Sequence, residues 1–349
     1  MEQIKKIQNN IKELDIEAMN GCKDILNSRM KPQKSLGVLE DLAIKVAGMT
    51  GKSINNLNKG CHFIASADNG VIEEGVSSCP LEYTRIVSEA MLNSYAAIGI
   101  LCQSLGIELN LIDVGINGDI KRTYNNFYNK KVSYGTKNFV VEPAMSEAEV
   151  AKAIKVGIEM IDLKEEYDFY SNGEMGIANT TTSSAVLYAL TGEDLDKVVG
   201  RGGGLSDEGL IKKKNVIKDA CEKYDLFNKD PMEILRCVGG LDIACMVGLY
   251  IGAAKNRKPM LIDGFISAVA ALVACRIEPK VRGYLIGTHM SEEPGMKVVM
   301  DALDLKTFLK MEMRLGEGTG AVLAYPILKS AMKIPQIMKT KDEVYDILL

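Results

Sequence analysis

A parallel α/β fold is what this chain predicts, on three observations. Short apolar segments recur between longer stretches of helical spacing, several of those segments end in a small glycine-containing loop, and no linker or fixed-period repeat interrupts the series. Alternation of this kind marks βαβ units, whose strands lie side by side with helices on both faces. The expected organisation is one principal domain with attached helices.

The chain opens with two helical patterns. Ile4, Ile7, Ile11, Leu14 and Ile16 recur at helical spacing, and a second run covers residues 36–46 after the break at Pro32. From Cys61 the texture changes, and residues 62–67, 108–114, 167–171, 259–263 and 284–288 are expected as strands. Residues 82–104, 146–163, 180–190, 207–224, 241–254 and 266–275 are the expected helices between them. Four of the strands run into Ala67-Asp68-Asn69-Gly70, Asp113-Val114-Gly115, Asn172-Gly173-Glu174-Met175-Gly176 and Asp263-Gly264. Ligands in open α/β sheets bind outside the carboxyl ends of the strands, so these loops converge on one crevice.

Composition narrows the function. Of 349 residues, 47% are hydrophobic, enough for a large core, and the formal charge of −4 argues against a nucleic-acid partner. The apolar run 264–275 is too short to span a bilayer, which takes about 20 residues, and the charged start lacks a secretion signal core, so a cytoplasmic location is expected. The eight cysteines include no CxxC pair and read as buried free thiols. With only His62 and His289 available, a histidine relay or multi-histidine metal site would need one of these two. The 32 glycines fall in clusters, as expected where backbone approaches a ligand closely.

Three motifs carry chemistry. In the first, glycines precede Asn179, Thr180, Thr181, Thr182, Ser183 and Ser184 at the start of a helix. Free amides and hydroxyls at a helix N-terminus suit phosphate, and the hydroxyls exceed what a cap requires. The second, Gly200-Arg201-Gly202-Gly203-Gly204, lacks the preceding strand of a dinucleotide fingerprint, but its amides suit an anion, and Lys212, Lys213 and Lys214 follow. At most one or two of those lysines can face a pocket. The third sets Glu317 between Gly316 and Gly318 just before an apolar helix, where a carboxylate sees little water and its pKa rises toward that of a general base. The macrodipole at a helix start accounts for such a Glu equally well. Glu174 sits in a similar glycine frame. Gly51-Lys52-Ser53 is no P-loop, because the required earlier glycine is Val46, and nothing in the sequence calls for a metal.

Together and in this order these segments resemble the nicotinate-nucleotide:dimethylbenzimidazole phosphoribosyltransferase family. The resemblance runs over nearly the whole chain: Lys31-Pro32 with Ser35-Leu36-Gly37 and Leu39-Glu40, Ala67-Asp68 with Gly70-Val71, Asp113-Val114-Gly115, Pro143-Ala144-Met145-Ser146, the Glu174 and Gly200 segments, Gly239-Gly240 with Asp242, Asp263-Gly264, His289 with Ser291, Pro294 and Gly295, and Arg314 through Ala321. It implies a Rossmann-like parallel sheet with helices on both faces. It also implies a small helical domain built from residues 1–50 and 311–349, a large α/β catalytic domain over 51–310, and a dimer with its active sites near the subunit interface.

The implied reaction transfers ribosyl 5′-phosphate from nicotinate mononucleotide to an aromatic lower base in cobamide synthesis, inverting the anomeric carbon from β to α and requiring no cofactor. By resemblance Glu317 is the general base and Glu174 assists it. Gly176, Asn179, Thr180, Gly202, Gly203, Gly204, Lys213, Asp263, Gly264 and Ser291 would hold phosphate and ribose. Ser78, Cys79, Leu81, Tyr83, Val87, Met175 and Leu315 would hold the base. The chain departs from the family pattern at Asn69, where His is common, at Lys34, where Gly is common, and at Cys79-Pro80-Leu81, where a Tyr-Pro-Gln run is common. Leu81 and Val87 suit a base with few in-plane hydrogen bonds, such as phenol or p-cresol. Two other readings remain beside a homodimeric enzyme: a heterodimer needing a paralogous partner, and a nicotinamide-dependent oxidoreductase resting on the α/β pattern and the glycine loop alone.

Overall fold

The computed structural model describes residues 10–348. Among them, six strands form one parallel sheet in the order β3-β2-β1-β4-β5-β6: β1 (Gly60–Ala67), β2 (Glu108–Gly115), β3 (Phe127–Asn129), β4 (Phe169–Met175), β5 (Met260–Ile262) and β6 (Leu285–Gly287). Every residue of β1 is buried, as a central parallel strand covered on both faces requires. The order reverses between β1 and β4, so the ligand crevice opens where these two strands end.

The helices are α1 (Ile16–Ser28), α2 (Val38–Thr50), α3 (Tyr83–Leu92), α4 (Ala97–Leu105), α5 (Glu147–Leu163), α6 (Asn179–Thr191), α7 (Leu195–Val198), α8 (Asp207–Lys223), α9 (Pro231–Val238), α10 (Leu241–Lys255), α11 (Phe265–Ile277), α12 (Gly295–Leu303), α13 (Thr319–Ile337) and α14 (Lys341–Leu348). Ser146 and Glu149 close a capping box at the start of α5. Helices α5 and α10 cross where Gly157 faces Gly248. A Cβ on Gly248 would lie 2.0 Å from the Ile154 carbonyl oxygen, so the contact exists only without side chains. From the two ends of the chain, α1 and α2 pack on α13, and the Arg29 guanidinium donates to the Pro335 carbonyl at 2.6 Å. The entry to α2 is fixed by a buried Lys31–Glu40 ion pair at 2.8 Å. Among the described residues no helix is long and apolar enough to cross a membrane. All eight thiols are free, and six are buried.

Four local expectations need correction. Residues 10–15 are not helical: α1 begins at Ile16, where Asp15 accepts the Ala18 amide at 2.9 Å as N-cap. The expected helical positions Ile4 and Ile7 lie outside the described residues. The expected helix 82–104 is two helices, α3 and α4, broken at Ser94, whose φ of +57° no helix interior accommodates. Gly99 permits the fold-back, since a Cβ there would meet the Met91 carbonyl at 2.7 Å. The strand expected over 167–171 runs later, so Glu174 projects from β4 itself instead of a following loop. Finally, β3 carries no alternating pattern over its three residues and was not anticipated.

Replacing Gly248 with Ala should force α5 and α10 apart and destabilise the protein by about 1–3 kcal/mol, the usual cost of overpacking. The denaturant midpoint should fall accordingly; an unchanged midpoint would mean the crossing tolerates a methyl group.

Candidate active site

The crevice is organised around one left-handed turn. Gly316, Glu317 and Gly318 have consecutive φ values of +83°, +62° and +84°, a conformation that costs a residue with a Cβ free energy unless its surroundings impose it. Buried polar side chains impose it. Asp263, at the end of β5, accepts the Gly318 amide through Oδ2 at 3.0 Å, and the Gly320 and Ala321 amides through Oδ1 at 2.8 and 3.1 Å. It thereby fixes the turn and supplies the acceptor that the first amides of α13 lack. Three side chains press on the three glycines of the loop: Glu174 on Gly316, His62 on Gly318 and His289 on Gly320. A Cβ on Gly318 would lie 2.0 Å from the His62 ring, and one on Gly173 2.2 Å from the Glu317 carbonyl carbon.

The turn delivers the Glu317 carboxylate, 9% exposed, to the first turn of α4, where Oε2 accepts the Ile98 amide at 3.4 Å. Burial raises its pKa and the nearby Asp263 charge raises it further, while the Ile98 amide pulls the other way. Glu174, buried and hydrogen-bonded by the Asn179 side-chain amide, is pushed up to about 8 by burial and by the charge of Asp242. Asp242 is itself pushed up to about 7 by burial. Near neutral pH Glu174 therefore holds a proton.

Across the crevice lies a cationic cradle. The Lys213 ammonium, fully buried in α8, donates to Thr180 Oγ1 at 2.8 Å and to the Gly200 carbonyl at 3.0 Å. Burial lowers its pKa to about 8, and the neighbouring Glu293 opposes that shift. Lys212 is exposed and Lys214 pairs with Asp196, so only the middle lysine of the triplet faces inward. Gly202, at φ +53°, lies against Thr180; Gly203 has its carbonyl held by Ser78 Oγ at 3.2 Å; Gly204 follows at φ +108°. Gly176 sits against the Ala67 carbonyl at the end of β1, and Ser291 stands beside Gly264. This arrangement offers amides, a hydroxyl and an ammonium to an anion.

The remaining expected residues group by chain segment. Cys79, Leu81, Val87 and Met175 are half-buried, Ser78 is exposed, and Tyr83 and Leu315 are 46% and 58% exposed. The two buried hydroxyls of α3 are already occupied: Thr84 Oγ1 accepts the Ile177 amide at 3.0 Å, and Ser88 Oγ bonds Ser66 Oγ at 2.8 Å. Two residues expected among the phosphate and ribose ligands have other partners. Asp263 spends both oxygens on the Glu317 loop, and a buried anion there opposes phosphate; the Asn179 amide bonds Glu174. Asn69, where the family pattern has His, donates to the Ile177 carbonyl at 3.2 Å and so ties the ends of β1 and β4 together. Sequence reasoning assigned no role to His62, Ile98 or Asp242. Only Asp242 carries a local signal, following Gly239-Gly240 at the start of α10.

Comparison with known proteins gives the family. A family model described as phosphoribosyltransferase matches residues 11–344. The nicotinate-nucleotide–dimethylbenzimidazole phosphoribosyltransferase of Clostridium tetani is 44% identical over 335 residues, covering 95% of this chain and 92% of its own. The protein of the same name from Ruminiclostridium cellulolyticum is 44% identical over 326 residues, covering 93% and 92%. The crystal structure of CobT from Thermus thermophilus superposes with a TM-score of 0.90 at 34% identity, covering 94% of this chain and 98% of that one.

An Asp263→Asn substitution keeps one acceptor oxygen but turns an amide toward the loop donors. It should destabilise the protein by about 1–3 kcal/mol, the cost of leaving buried donors unpaired, measurable as a lowered urea midpoint.

Proposed function

Since the chain belongs to the nicotinate-nucleotide–dimethylbenzimidazole phosphoribosyltransferase family, we propose that it transfers the 5-phosphoribosyl group of nicotinate mononucleotide to an aromatic base. The products are nicotinate and an α-riboside 5′-phosphate. One observation carries the reading: a buried carboxylate of raised pKa, Glu317, is held in an imposed turn in the same crevice as the Lys213 cradle.

The chemistry asks little of the protein beyond position and charge. Nicotinate leaves from a pyridinium, so the breaking C–N bond returns its electron pair to a ring that was already cationic, and neither an acid nor a metal has to expel it. The phosphate rests on the Gly202–Gly204 amides, Thr180, Ser291 and Lys213. The incoming base attacks the opposite face of the anomeric carbon, and Glu317 takes the proton that the base loses on bonding. Glu174, protonated near pH 7, offers a hydrogen-bond donor beside the turn. Asp263 acts from behind by fixing the loop.

The lining of the base pocket favours an acceptor recognised by shape. With Thr84 and Ser88 bonded to backbone and to Ser66, the segment that carries Leu81 and Val87 leaves only the exposed Tyr83 hydroxyl for a ring edge. This supports a phenolic or similarly sparing base over a purine. The chain carries Glu174, Glu317 and Lys213 itself, which supports an active enzyme, read here as a homodimer, over a silent subunit of a heterodimer.

Incubating the purified chain with nicotinate mononucleotide and, separately, phenol, p-cresol, dimethylbenzimidazole and adenine, with nicotinate release and product mass as readouts, tests both levels of the reading. Adenine should be the poorest acceptor. Far faster use of dimethylbenzimidazole than of either phenol would refute the phenolic assignment, and no product with any base would refute the activity. A Glu317→Gln variant should bind nicotinate mononucleotide normally while losing about 10²–10⁴-fold in kcat.

Lys213 gives the binding step a pH dependence. Its ammonium is charged below about 8 and loses its proton above, so affinity for nicotinate mononucleotide should hold below that pH and weaken as pH rises through it. The ligand's own phosphate titrates near 6 and is constant over that range. Calorimetry should find this limb in the native protein and a shallower one in Lys213→Met, where Glu174, which titrates in the same window, still responds.

A further inference from the structure

His62 takes no part in the reaction proposed above, yet its ring lies against the backbone that carries Glu317. We propose that His62 is a positioning residue for Glu317, donating from Nε2 to the Glu317 carbonyl and so holding the left-handed turn that aims the carboxylate. The inference rests on the reading of Glu317 as general base.

Hydrogen-bond directions follow from the partners. The Glu317 carbonyl, 3.1 Å from Nε2, can only accept, so Nε2 carries the proton. In a neutral imidazole Nδ1 must then accept, and its partner at 2.7 Å, Ser171 Oγ, donates. The ring is neutral at working pH: complete burial lowers its pKa to about 4, the bond to Glu317 opposing. His62 and Ser171 are register partners on β1 and β4, 0% and 1% exposed, so the relay stands on the two central strands of the sheet. The ring also fills the space above Gly318, where a Cβ would lie 2.2 Å from Nε2.

The division of labour is between two holds on one turn. Asp263 takes the amides on the helix side, at Gly318, Gly320 and Ala321, and His62 takes the carbonyl of Glu317 itself. With the second hold gone, the peptide after Glu317 keeps only the Asp263 bond to its Gly318 amide and can pivot about it without unfolding α13. The carboxylate then leaves its place beside Ile98, and a displacement of about 1 Å at a reacting group costs on the order of 10²-fold in rate.

The test compares steady-state kinetics of His62→Leu, His62→Gln, Ser171→Ala and Glu317→Gln, with nicotinate mononucleotide affinity by calorimetry and folding by thermal melt. His62→Leu should lose about 10- to 100-fold in kcat, with affinity for the nucleotide within about twofold of native. His62→Gln should recover most of that loss, since a Gln amide can donate to the carbonyl while its oxygen accepts from Ser171. Ser171→Ala, which leaves the tautomer unselected, should fall in between. A folded His62→Leu with kcat within twofold of native overturns the proposal, as does a Gln variant no better than Leu. Should His62→Leu fail to fold, Ser171→Ala decides: lowered kcat supports the relay and native kcat overturns it. Loss of turnover in Glu317→Gln alone sinks only the role of His62, whereas native turnover in Glu317→Gln sinks the general-base reading and this inference with it.

Discussion

A single buried carboxylate, Asp263, holds three backbone amides of the segment that follows Glu317, and most of what the crevice can do depends on that clamp. The amides of a helix's first turn have no intrahelical acceptor, so α13 would begin frayed were nothing there to receive them. Because the acceptor comes from the end of β5, the start of α13, and with it Glu317, is referenced to the sheet. A carboxylate suits this task better than a neutral acceptor, since hydrogen bonds to a charged group are the stronger ones.

The clamp has an electrostatic consequence. Asp263, Glu174, Glu317 and Asp242 crowd the carboxyl ends of β1, β4 and β5, and burial raises the pKa of each. Mutual repulsion and desolvation make it costly for all four to be ionised together. The arrangement divides them: Asp263, with three amides and the nearby His289, has the environment that best supports a charge, whereas Glu174, with one amide donor, keeps its proton near pH 7. Glu317, buried to the same degree as Glu174, accepts the Ile98 amide, which opposes the upward shift. Lys213, in α8, has neutral hydrogen-bond partners in Thr180 and the Gly200 carbonyl, and burial depresses its pKa against the opposing charge of Glu293.

Close backbone approach is the geometric counterpart of this charge pattern. Gly173 lets the Glu317 peptide cross over β4, Gly318 admits the His62 ring, and Gly202 rests on the Thr180 hydroxyl. The sheet, the Glu317 loop and the Gly202 loop therefore meet at glycines, backbone against backbone at Gly173 and backbone against side chain at Gly318 and Gly202. Helix α3 is bolted to the same strand ends through Thr84 and Ser88, which commits these two buried hydroxyls to structure.

By itself the sequence determined the class of fold, the order of the principal strands and helices, and the segments that meet in the crevice, because each of these is written in local periodicity or in glycine clusters a few residues long. It also singled out Glu317 and Glu174 from their glycine frames, and limited the inward-facing lysines to one or two of three. Only the tertiary structure decided how these parts are held. The break at Ser94 that frees the Ile98 amide follows from the packing of Gly99 on Met91, and Glu174 lies in β4 because the strand extends further than its apolar run. The bond from His62 to Glu317 joins residues 255 positions apart, and that from Asp263 to Gly318 joins residues 55 apart. A residue's hydrogen-bond partner at such separations depends on where the sheet brings two chain segments, and no local pattern in the sequence records that.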